Sequence, residues 1–350
     1  MLKKILLVLS GVIAVLVIVL AVFLSGGPQL PDGADEIISR SIVKGPPNLA
    51  KGRSGYARNG DITIWYETVL PATAPQADVL LVMGAGVSSM FWPLELIDTL
   101  TAQGYRVIRY DHRGIGLSDW MEQWQADAPY SLEDMTGDAL AVLDAAAARK
   151  AHVIGVSMGG MIGQRLAISH PDRVLSLVSM STSAHMFDPE FADQQQQIAL
   201  ESVRLVLKYG LTGSEADMIR MMSGFIGFMM PEGLDNDVVQ SIADLVLYEM
   251  RHRKGFNPGV MPQHFRAMEV SGSRLDELGR IQCPVLVVHG TADPSVTIDH
   301  ARKYAARINS VQTLWLDGAG HMIRDEHMPA MMAAIFSLFL SASPGPGQDQ

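Results

Sequence analysis

The sequence predicts an α/β fold, a mostly parallel sheet with helices on both faces, and three observations carry that expectation. Short apolar runs alternate with amphipathic stretches of helical period along most of the 350 residues. Several runs end directly in glycine-rich loops, as buried parallel strands do. Hydrophobic residues make up 48% of the chain and charged residues 18%, enough apolar mass for a large core and too much for a disordered chain.

In chain order, Lys3 and Lys4 precede an uncharged apolar run over Ile5–Leu24, and the first charges after it are Asp32, Asp35 and Glu36. A helix of that length covers about 30 Å, the hydrocarbon thickness of a bilayer. Residues 1–25 are therefore expected to be a transmembrane signal anchor, with a cleaved signal as the alternative. By the positive-inside rule the body lies outside the cytoplasm. Residues 26–55, rich in Gly and Pro, read as a flexible tether with one short helix near Glu36–Ser41. The body starts near Tyr56. Strands are expected at Ile62–Glu67, Val79–Met83, Arg106–Tyr110, Val153–Gly155, Val174–Met180, Pro284–His289 and Val311–Leu316. Between them, helices are expected at Pro93–Gln103, Asp134–Ala148, Met158–Ser169, Ile298–Arg307 and Pro329–Leu340.

The rhythm breaks over 185–272. Gln197–Tyr209, Glu215–Phe228 and Asp237–Arg251 read as helices with no strand between them, which predicts a helical cap on a core of 56–184 and 273–340. Nine of the 21 methionines fall in this cap, as flexible packing or as a lining for apolar ligands. Met222 and Phe225 are the expected contacts, with Trp92 from the core. The tail 341–350, rich in Pro and Gly, is expected to be disordered.

Three strand ends carry the chemistry. Gly155-Val156-Ser157-Met158-Gly159 is a G-x-S-x-G between a predicted strand and a predicted helix, the context in which a serine is presented as a nucleophile. A serine hydroxyl needs a base, and the base an acid that fixes its tautomer. His321 follows one late strand, and Asp293 follows the strand before it. The rival acids are Asp299, Asp317 and Asp325; Asp293 alone lies directly after a strand and well ahead of the histidine. His112 and His289 also follow strands but sit in turns that serve shape. Oxyanion stabilisation needs two backbone N–H groups. Met158 and Ala85, the latter in Gly84-Ala85-Gly86, are the candidates.

Other classes lose ground on the same residues. Gly84-x-Gly86 with Asp111 further on has the outline of a dinucleotide site, but Ser89 occupies the third glycine position and Phe91-Trp92-Pro93 interrupts the helix. There is no zincin or P-loop motif, so neither cofactor nor metal is expected. The net charge is −10 with no basic stripe, which argues against nucleic acid as a partner. The one cysteine, Cys283, excludes an internal disulfide.

Taken together, Gly84-Ala85-Gly86…Phe91-Trp92, Asp111-His112-Arg113-Gly114-Ile115-Gly116, Gly155–Gly160, the Asp293 loop and Gly320-His321 resemble the α/β-hydrolase superfamily over about residues 56 to 340. The pattern is most similar to the branch of methylesterases, enol-lactonases and cofactor-free haloperoxidase-type esterases. The resemblance implies an eight-stranded-type sheet with the cap inserted after the sixth strand. It also implies a serine hydrolase acting on small-molecule esters or related acyl substrates through an acyl-enzyme. Met83 stands where many relatives carry histidine. Ser157 departs from the aspartate of haloalkane dehalogenases and epoxide hydrolases, which argues against both chemistries. Carbon–carbon bond hydrolysis, perhydrolysis and a non-catalytic binding role stand as alternatives.

Overall fold

In the computed structural model, which describes residues 16–322 and 324–342, the strands follow the apolar runs. They are β1 (Arg53–Asn59), β2 (Ile62–Val69), β3 (Ala77–Val82), β4 (Tyr105–Tyr110), β5 (Ala151–Val156), β6 (Val174–Met180), β7 (Val285–Gly290) and β8 (Val311–Leu316). All eight join one sheet in the order β1-β2-β4-β3-β5-β6-β7-β8. The β1–β2 and β2–β4 pairs are antiparallel and the remaining five are parallel.

The helices are α1 (16–25 as far as described), α2 (Ala34–Lys44), α3 (Leu94–Ala102), α4 (Leu132–Ala145), α5 (Met158–Ser169), α6 (Ala192–Tyr209), α7 (Glu215–Phe228), α8 (Asn236–His252), α9 (Val260–Ser271), α10 (Ile298–Ala305) and α11 (Met328–Ala342). The period of two along each strand sorts its side chains between two cores. Leu80, Val82, Ile108, Tyr110, Val285 and Val287 face α4 and α5. Val79, Leu81, Val107, Leu286 and Val288 face α3 and α11 on the other side. Every parallel strand end therefore opens at one edge of the sheet, where such folds carry their sites.

Helices α6 to α9 lie between β6 and β7 and form the cap. Ile219, Met222 and Ile226 of α7 pack on Val239, Ala243 and Val246 of α8. Two elements were missing from the sequence reading. Strand β1 is an edge strand whose sequence, RSGYARN, has no apolar alternation to betray it. Helix α9 is too short and mixed to stand out beside its longer neighbours.

Two expectations at the N-terminus are corrected. The segment expected to be a flexible tether is docked, because Ala34, Ile37 and Ile38 give α2 an apolar face that completes the core of the cap. Leu49 beyond it is buried, and its carbonyl accepts from the buried Arg109 Nη2 at 2.6 Å. The transmembrane helix is corrected too. Among the described residues no helix is long and apolar enough to cross a membrane. The expected span falls on 5–15 outside the described residues, and its described part ends at residue 25. Its end is held by the cap: Arg204 Nε donates to the Phe23 carbonyl at 2.8 Å, and the guanidinium lies 4.7 Å from the centroid of the Phe23 ring. The membrane partnership and the anchored, extracytoplasmic placement rested on that span and fall with it. The tail beyond residue 342 lies outside the described residues.

Candidate active site

Ser157 sits between β5 and α5 with φ 54° and ψ −123°, a region that costs a non-glycine residue about 1–3 kcal/mol. Its neighbours enforce the turn. The Ser157 N–H donates to the Met180 carbonyl at 2.9 Å, and Thr182 Oγ1 donates to the Ser157 carbonyl at 2.6 Å. The flanking glycines are obligatory: a Cβ on Gly155 would lie 2.3 Å from the Gly159 carbonyl oxygen, and one on Gly159 would lie 2.0 Å from that of Val82. Met158, the next residue, opens α5, so its N–H belongs to the first turn, where helical donors lack partners within the helix.

Asp293 lies in the loop after β7, buried. Its Oδ1 accepts from the backbone N–H groups of Ser295 at 2.8 Å and Val296 at 2.9 Å. Its Oδ2 accepts from His321 Nδ1 at 2.7 Å. A carboxylate only accepts, so His321 donates from Nδ1 to Asp293, and Nε2 is the ring nitrogen outside that bond. Burial works against the Asp293 charge, yet His321, with His289 also close, outweighs it and holds the carboxyl well below the usual carboxylate range. The loop after β8 that carries His321 packs directly on the end of β7: a Cβ on Gly290 would lie 2.2 Å from the Ala319 carbonyl oxygen. The cap closes the arrangement, for the His321 N–H donates to the carbonyl of Met229 at 2.9 Å.

The rival acids lie elsewhere. Asp299, Asp317 and Asp325 are exposed, and Asp299 and Asp317 are engaged by Arg302 and Thr291. His112 Nε2 donates to the Met83 carbonyl at 2.8 Å, and His289 Nε2 to that of Val296 at 2.7 Å, so both shape loops.

Ser157 and His321 open onto one cavity of about 140 Å³. Ala85, Trp92 and Phe225 line it, and Met222 does not: it is buried between α2 and α8 in the core of the cap. Nine methionines line the cavity, among them Met83, Met186, Met229, Met261 and Met268, so the wall is soft and sulfur-rich. Among the described residues no lysine, arginine or carboxylate lines it. Sequence reasoning missed the α9 wall, Met261, Phe265 and Met268. Their spacing of four and three is an apolar helical stripe and was the available signal. No group of three or more metal-ligating side chains occurs among the described residues.

The family profile described as alpha/beta hydrolase fold matches residues 79–205. Rhodomycin D methylesterase DauP of Streptomyces sp. (strain C5) is 31% identical over 283 residues, 75% of this chain and 90% of its own. Rhodomycin D methylesterase DnrP of Streptomyces peucetius is 30% identical over 76% of this chain and 91% of its own. The crystal structure of the enol-lactonase from Burkholderia xenovorans LB400 superposes with a TM-score of 0.63 at 24% identity, covering 82% of this chain and all of its own, a likeness of fold. The chain belongs to the α/β-hydrolase family and is an enzyme with hydrolase activity.

Proposed function

We propose that the protein is a serine hydrolase that cleaves carboxylic esters of apolar acids through an acyl-enzyme. The observation that carries the reading is the buried Asp293–His321 pair, which opens with Ser157 onto an otherwise apolar cavity. Ser157 Oγ attacks the ester carbonyl carbon while His321 Nε2 takes its proton. The carbon–alkoxide bond breaks, and His321 returns the proton to the departing alcohol. Water, deprotonated by the same nitrogen, then releases the acid and restores Ser157. Asp293 keeps the imidazole in the required tautomer, and the N–H groups of Met158 and Ala85 stabilise the oxyanion. Trp92 and Phe225 contact the acyl group. The methylesterase relatives support a small alcohol portion.

The cavity wall also discriminates between alternatives. Among the described residues no lysine or arginine lines the cavity to receive the carboxylate of a carbon–carbon hydrolase substrate. A perhydrolase would release peracid among nine methionines, which it would convert to sulfoxides. Ser157→Ala should lower kcat on p-nitrophenyl esters by at least about a thousandfold without loss of fold. Turnover near that of the wild type would remove the serine mechanism.

A further inference from the structure

One of the side chains with which the cap reaches the Ala85 loop takes no part in the reaction itself. His264, on α9, is fully buried. Its Nδ1 lies 3.1 Å from the backbone nitrogen of Gly86, and its Nε2 lies 2.9 Å from the carbonyl oxygen of Arg113. An amide N–H can only donate and a carbonyl only accept, so the ring is neutral with its proton on Nε2. Burial, with His112 beside it, pushes the imidazole down to about 3, which keeps Nδ1 an acceptor at neutral pH. The ring thus bridges two core loops from the cap.

Its hold on Gly86 has a geometric consequence. Gly86 has φ +74°, and its N–H is committed to α9, away from Ser157. That fixes the peptide that follows Ala85 and so limits how the Ala85 peptide itself can turn. Met261, one turn earlier on α9, packs on the same glycine: a Cβ on Gly86 would lie 2.0 Å from its Sδ. Helix α9 is itself pinned to the core at both ends. Asn257 Nδ2 donates to the Gly114 carbonyl at 2.8 Å, and Ser271 Oγ accepts from the Leu132 N–H at 2.8 Å. A strut anchored in this way transmits position.

We propose that His264 is a positioning residue, through which the cap sets the Ala85–Gly86 peptides in the orientation that stabilises the oxyanion. The inference rests on reading Ala85 and Met158 as the oxyanion donors. Loss of a donor of that kind costs about 100- to 1,000-fold in kcat, and a misplacement of about 1 Å about 100-fold.

The test is a kinetic series with thermal melts on each variant. His264→Ala should lower kcat about 100-fold while KM stays within about threefold. It should also weaken a trifluoromethyl ketone inhibitor, which forms an oxyanion on Ser157, in proportion to kcat/KM. His264→Asn places an amide oxygen near the Nδ1 position and should recover most of kcat. His264→Gln reaches the Arg113 carbonyl instead and should not. A merely structural role predicts activity that follows the melting temperature in all three variants, and that result overturns the proposal. Ser157→Ala measured alongside separates the two claims. An inactive Ser157→Ala with kcat of His264→Ala within threefold of the wild type removes the role of His264 alone. An active Ser157→Ala removes the serine reading beneath it.

Discussion

At the residue scale, Asp293 accepts from three donors, which divide two tasks between them. The two backbone N–H groups of Ser295 and Val296 fix one oxygen, so the other is aimed at His321 by the loop itself. Asp293→Asn keeps the shape but presents an amide, which cannot hold Nδ1–H and Nε2 in the same roles. We expect kcat to fall about 10⁴-fold with little change in KM, as in other triads. Equal activity in Asp293→Asn, with loss in Asp317→Asn instead, would move the acid to the neighbouring loop. The sequence points to Asp293 as the candidate acid because its signals are local. A strand, a short loop and a histidine after the next strand are read along the chain, and so is a serine between obligatory glycines. What it did not disclose is that the Ser295 and Val296 amides share the carboxylate, since backbone donors leave no residue type to recognise.

At the element scale, α7 has two faces that the sequence did not separate. Met222 and Phe225 are three positions apart and both apolar, which suggested one lining. The structure turns Phe225 to the cavity and Met222 to the core shared with α2 and α8. The reason is the docking of α2, a long-range event that no local period encodes. The two side chains should therefore fail differently. Phe225→Ala should raise KM for long-chain p-nitrophenyl esters several-fold more than for acetate, with the melting temperature nearly unchanged. Met222→Ala should cost about 2–5 kcal/mol of stability and leave the chain-length profile intact. Identical kinetic signatures from both would show that the cavity assignment is wrong. The same limit explains β1, whose place is set by the strand it pairs with and whose composition is unremarkable on its own, whereas α9 carries a readable stripe in Met261, Phe265 and Met268. Conversely, strands β3 and β5 to β7 were legible because burial on both faces fills most of their positions with apolar side chains.

At the scale of the whole molecule, cap and core meet over a buried charge cluster. Arg253, just past the end of α8, pairs with Asp111 of the core and, at 3.1 Å, with Glu249 one turn earlier, while its guanidinium lies 4.5 Å from the centroid of a Trp65 ring. Ser88, just past the Ala85 loop, donates to Glu249 Oε1. Burial pushes the Glu249 carboxyl up to about 7, opposed by Arg253 and assisted by Asp111. A carboxyl raised in the folded state binds more protons there than in the unfolded chain between its ordinary value and about 7. Stability from this group is thus greatest below that window and declines as pH rises through it, by roughly 3 kcal/mol in all. Glu249→Gln keeps an acceptor for Ser88 and cannot ionise. Its melting temperature should match the wild type near pH 5 and exceed it at pH 8. Parallel pH profiles for the two proteins would show that Glu249 stays ionised throughout.

The catalytic expectations depend on Ser157 being the nucleophile, and one measurement addresses that directly. The protein is treated with a fluorophosphonate, digested, and the adduct located by mass spectrometry. The account predicts a single phosphonyl group on the peptide holding Ser157, and suppression of labelling in His321→Ala. Labelling elsewhere, or an unmodified Ser157 in protein that still turns over esters, would contradict it.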